Sequence, residues 1–88
     1  MEKKKLIKKD VDEVIRLSKK YYSSHDVDYL GTLNAVEKKT FGNDDHWICG
    51  IIAGITCKSI LDYNEPNETY YKVLEALGFE IVEDSDNA

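Results

Sequence analysis

Apolar residues recur at helical spacing along most of this chain. Val11, Val14 and Ile15, followed a turn later by Ser18 and Tyr22, predict a helix over about residues 11–22. Asp10 with Glu13 is a capping-box variant that would start it. Leu6 and Ile7 either extend that helix backward or form a short strand. Val27, Leu30, Leu33 and Val36 form the stripe of a second helix, over about 27–40. Asp26 would cap it, Lys38 and Lys39 suit its C-terminal dipole, and Gly42-Asn43 would stop it. A third, short helix is expected from Asp44 or Asp45 to Gly54, and a fourth from Thr56 to about Tyr63. A turn around Pro66 separates them from a fifth helix carrying Tyr70, Val73, Leu74 and Leu77. Gly78 ends that helix. Phe79, Ile81 and Val82 then form a short extended segment, and 83–88 reads as a frayed acidic tail. The expected fold is all-α, a compact five-helix domain with a short extended C-terminal segment.

Length makes this one domain: 88 residues leave no room for a second core. The hydrophobic share of 42% supplies one small core and argues against wholesale disorder. A chain of this size buries roughly 60–65% of its unfolded surface, so a partner or dimerisation would help it. The formal net charge of −5 excludes a uniformly basic nucleic-acid binder. Its distribution is uneven, at +4 over residues 1–20, −2 over 21–58 and −7 over 59–88. This leaves two readings: solvated faces of opposite sign, or a dipole that orients the protein toward a charged partner. The opening Glu2-Lys3-Lys4-Lys5 leads into only Leu6 and Ile7, which is not a signal peptide. The longest apolar run, Trp47 to Ile55, is too short for a membrane span, which needs about 20 residues. With two cysteines and no secretory feature, a reduced cytoplasmic protein is expected.

The stretch HWICGIIAGITCKSILDYNE, residues 46–65, carries the most information. Gly54 suits a tight corner between two short helices, and Gly50 suits close approach of the pair. Thr56 would cap the second helix. Cys49, Ala53, Ile55, Ile60 and Tyr63 would face inward. This pattern resembles the helix-turn-helix of phage repressor and Cro-type (XRE-like) DNA-binding domains. The continuation YYKVLEALGFEI is similar to the helix after the recognition helix there and in related addiction-module antidotes. The resemblance covers about residues 27–82 and leaves 1–23 as an extra N-terminal helix. It implies a dimeric DNA-binding regulator or antitoxin. Its DNA-facing positions would be Thr56, Cys57, Lys58, Leu61 and Asp62, with Lys38, Lys39 and Lys72 available to phosphates.

The sequence departs from that family where Trp47, Ile48, Ile51 and Ile52 replace polar outer positions. Either the N-terminal helix covers these four groups or a partner or dimer interface does. The reading helix is poor in cations, since Lys58 stands beside the repelling Asp62. A second functional class therefore competes with the first. It is a non-enzymatic, acidic protein-binding module, such as a phage-type inhibitor or DNA mimic, that uses Glu65, Glu68 and Glu75. Six tyrosines serve either core edges or such a binding face.

Catalytic chemistry finds no support. His46, Cys49 and Cys57 have spacing unlike paired zinc-ligand signatures, and Cys57 lacks a triad around it. Gly50 and Gly54 are not followed by the Lys-Ser or Lys-Thr of a phosphate loop. The ending LEALGFEIV is also similar to the close of small acyltransferases, whose longer chain and pyrophosphate loop are missing here. No metal, cofactor or small-molecule substrate is expected.

Overall fold

The computed structural model describes residues 4–42, 46–58 and 65–83. The order of elements is β1 (Lys4–Ile7), α1 (Lys8–Ser24), α2 (Val27–Phe41), α3 (His46–Lys58), α4 (Asn67–Ala76) and β2 (Phe79–Val82). Among the described residues the fold is mainly helical, with four helices and a two-stranded parallel sheet, so the expected five-helix, all-α description needs correcting.

Local signals account for three of the helices. Asp26 accepts a hydrogen bond from the Asp28 amide at 2.9 Å and caps α2, which Gly42 closes with φ of 92°. Pro66 stands immediately before α4, and Gly78, at φ 104°, turns the chain into β2. Helix α1 starts two residues before its expected cap, because β1 runs straight into it. Asp10 then lies within the first turn, where its charge favours the helix dipole.

The first and last described strands meet. Strands β1 and β2 pair in parallel, with Lys4 opposite Phe79 and Ile7 opposite Val82. Parallel strands need a long crossover, and here all four helices lie between them. Leu6 and Ile7 thus take the strand alternative. The pairing also sets basic residues beside acidic ones. Lys5 lies opposite Glu80, and Lys8 Nζ is 3.7 Å from Glu83 Oε2. The described parts of the basic opening and the acidic close are thus neighbours.

Helix α1 is the centre of the molecule and packs against β1, α2, α3 and α4. It contributes Val11, Val14, Ile15 and Leu17 to a core completed by Leu6, Leu33, Phe41, Ile48, Ile52, Tyr70, Leu74 and Phe79. The segment read as an addition to a family-like core is therefore the element around which the rest is built. On α2 the inward stripe is Leu33, Glu37 and Phe41, while Val27 is 71% exposed.

Helix α3 runs unbroken through Gly54, so the corner expected at 53–56 is absent. The reason is a balance of magnitudes. A glycine inside a helix costs about 1 kcal/mol relative to alanine. Continuity puts Ile48, Ile52 and Thr56 on one buried stripe, and burying each isoleucine is worth roughly 1.5–3 kcal/mol. The stripe wins. The second helix expected from Thr56 to Tyr63 has its first three residues in α3, and the rest lies outside the described residues.

Candidate functional site: a groove between α2 and α3

The structure separates the residues that sequence reasoning grouped. Thr56 is fully buried. Its hydroxyl donates to the Ile52 carbonyl at 2.9 Å, so its lone pairs accept from Ser18 Oγ at 3.0 Å and Tyr70 OH at 2.8 Å. This hydroxyl cluster joins α1, α3 and α4 in the interior. Burial pushes the Tyr70 hydroxyl up from its ordinary pKa, with the Thr56 hydrogen bond opposing. A residue held in this way presents nothing to DNA, and its expected role there is corrected.

Cys57 and Lys58, next along α3, are exposed. Leu61 and Asp62 lie outside the described residues. Lys38 and Lys39 are exposed on the last turn of α2, and Lys39 Nζ reaches Asp10 Oδ1 at 4.0 Å. Ile48 and Ile52 belong to the core, each at most 1% exposed, so they are not available as a partner surface. Ile51 is half-buried. Trp47 is 49% exposed and leans on Phe79 with ring centroids 6.1 Å apart. For Ile48 and Ile52 the cover is intramolecular, in the core around α1, while Trp47 and Ile51 stay partly open. Among the described residues no three His, Cys, Asp or Glu side chains gather as metal ligands. No helix among them is long and apolar enough to cross a membrane.

Helices α2 and α3 both pack on α1 but hardly on each other. Between them lies a groove of about 240 Å³. Its floor is Ser18 and Tyr22 of α1, and its α3 wall is Cys49, Gly50 and Ala53. Gly50, expected to allow a close approach, does the opposite. A Cβ built on Gly50 would meet nothing within 4 Å, so this wall borders open space. The α2 wall presents Leu30, Leu33, Asn34 and Glu37.

Glu37 is the residue that sequence reasoning missed. It is 7% exposed, a burial that carboxylates seldom reach without a partner. Burial pushes its carboxyl above the usual carboxylate range, against a smaller downward pull from a hydrogen bond with Cys49. Tyr22, facing it from α1, is also pushed up, chiefly by burial. A signal for Glu37 was present, since it comes seven positions after Leu30 and four after Leu33 and so shares their stripe.

A carboxyl raised in this way destabilises the fold as pH rises. Below the ordinary glutamate range both folded and unfolded chains hold the proton. Through that range the unfolded chain releases it more readily, so stability falls until the folded group also ionises. Glu37→Gln is therefore expected to raise the urea midpoint at neutral pH and to leave it unchanged at pH 3. A lower midpoint at neutral pH would contradict the burial assigned to Glu37.

A broader depression of about 460 Å³ on α1 has its charges matched internally. Arg16 forks onto Glu13 with two 2.8 Å bonds, and Lys8 meets Glu83. The guanidinium holds the Glu13 carboxyl below its usual range.

Comparison of the chain with family models, curated proteins and solved structures gives no match.

Proposed function

We propose that this chain is a non-enzymatic protein-binding module that docks on a basic surface. Its contact would be the acidic face of α4 and β2. The observation that carries this reading is exposure combined with sign. Glu68, Lys72 and Glu75 share one stripe of α4, all exposed, and Glu80 is exposed on β2. These residues stay net acidic even with Lys5, which lies opposite Glu80, counted among them, and the whole chain is net acidic. Complementary charge of this kind accelerates encounter and selects partners more than it adds raw affinity.

DNA binding through a dimer is the competing reading, and the exposed Lys38, Lys39, Lys58 and Lys72 are what it has to work with. With Thr56 buried, a reading helix that begins there has lost its first contact. Few cations remain to neutralise phosphates against a net charge of −5.

The two are separated by parallel anisotropy titrations at low salt, one with a blocked deca-lysine peptide and one with sheared duplex DNA. The wild-type chain is expected to bind deca-lysine, and Glu68→Lys/Glu75→Lys/Glu80→Lys to bind it at least ten-fold more weakly while keeping its helical circular dichroism. Equal deca-lysine affinity for the two proteins would overturn the reading. So would DNA binding that Lys58→Glu abolishes.

A further inference from the structure

The groove between α2 and α3 combines three properties: apolar sides, one acid and the size of a single side chain. Leu30 and Leu33 on one wall face Ala53 on the other. Glu37 is set among them, nine-tenths buried. None of the described residues lining the groove is basic. The volume of about 240 Å³ is below the roughly 300–1,000 Å³ of pockets that enclose whole small molecules.

We propose that this groove seats an arginine side chain presented by the basic protein partner, with its guanidinium on Glu37. The inference rests on the protein-binding reading and deepens it by naming one residue that the partner supplies. The methylenes of an arginine lie along Leu30, Leu33 and Ala53, while its head meets the acid, as amphipathic cations do at apolar surfaces. Two carboxylate oxygens accept the parallel N–H bonds of a guanidinium, which sheds water more readily than an ammonium. The Cys49 thiol is a weak donor and competes poorly for those oxygens. A buried carboxylate without a cation costs stability, and an incoming guanidinium removes that cost on binding. Among the described residues lining the groove, the other titratable groups are Tyr22 from α1 and Cys49 from α3. Neither brings a positive charge that would exclude the arginine.

The test is an NMR titration of the full chain with Nα-acetyl-arginine amide, and separately with its uncharged isostere, Nα-acetyl-citrulline amide. Arginine is expected to shift the amide signals of Leu33, Glu37, Gly50 and Ala53 saturably in the millimolar range and to lower the pH at which Glu37 titrates. Citrulline is expected to leave them in place. Glu37→Gln should weaken arginine binding at least ten-fold. Gly50→Leu, which fills the groove with a better helix former, should abolish it while deca-lysine binding by the α4–β2 face persists. Equal shifts with citrulline, no saturation with arginine, or full affinity in Glu37→Gln would each overturn the arginine seat. The α4–β2 reading stands or falls separately, on the deca-lysine titration of its own triple variant.

Discussion

Thr56→Val is expected to destabilise the protein by roughly 2–4 kcal/mol, although valine has nearly the same shape. The hydroxyl that it removes accepts from both Ser18 Oγ and Tyr70 OH and donates to the Ile52 carbonyl. Without it, two buried donors on two other helices lose their acceptor. Leaving each such group unpaired costs about 1–3 kcal/mol, less whatever the neighbours recover by rotating. A domain of this size has only about 5–15 kcal/mol in all, so the loss is a large fraction. Urea denaturation measures it. Tyr70→Phe removes one of the two stranded donors, so the double variant is expected to lose less than the two single losses added together. A change within about 0.5 kcal/mol for Thr56→Val would place this residue at the surface, where a DNA-reading role requires it to be.

The second large effect concerns α3. Ile52→Ala is expected to cost about 2–5 kcal/mol, because Ile52 is 1% exposed and packs in the core around α1. Trp47→Ala, at a half-exposed position against Phe79, is expected to cost about 1 kcal/mol. The contrast distinguishes a core stripe from an intersubunit one. If Ile52 were a dimer contact, its loss would shift the sedimentation of the folded protein and make stability depend on concentration. A core position makes Ile52→Ala lower the urea midpoint equally at all protein concentrations. A concentration-dependent midpoint in the wild type, abolished by Ile52→Ala, would overturn this assignment.

The two effects share an origin in how α3 behaves. Taken locally, Gly50 and Gly54 mark a place to break, and Thr56 is a good cap for a new helix beginning there. Both inferences use real propensities, but each propensity is worth about 1 kcal/mol or less. Packing Ile48, Ile52 and Thr56 against α1 and α4 is worth several times more. The hydroxyl that would have capped a new helix instead bonds back to Ile52 within the old one.

The tyrosines behave similarly at smaller scale. Tyr70 is wholly buried in the core, while Tyr21, Tyr29 and Tyr71 pack at its edge. Tyr71 OH donates to Asp12 across the α1–α4 contact, and burial followed by that carboxylate pushes it up to about 12. Packing in the core or at its edge accounts for these four. Residue counts alone did not separate that use from a binding face, because an amphipathic ring suits either.

By itself the sequence determined where α1, α2 and α4 run and where β2 begins. Their signals are local: an apolar stripe of period 3.6, Asp26 as a cap, Pro66 before a helix, and Gly42 and Gly78 as stops. Each acts within a turn or two of chain and needs no knowledge of neighbours. Only the tertiary structure decided that β1 and β2 pair, that α3 stays whole, and that Glu37 turns inward beside a groove. These depend on contacts between residues distant along the chain, such as Lys5 with Glu80 and Ser18 with Thr56. Such contacts outweigh a glycine's local preference and can hold a carboxylate where its own solvation would not.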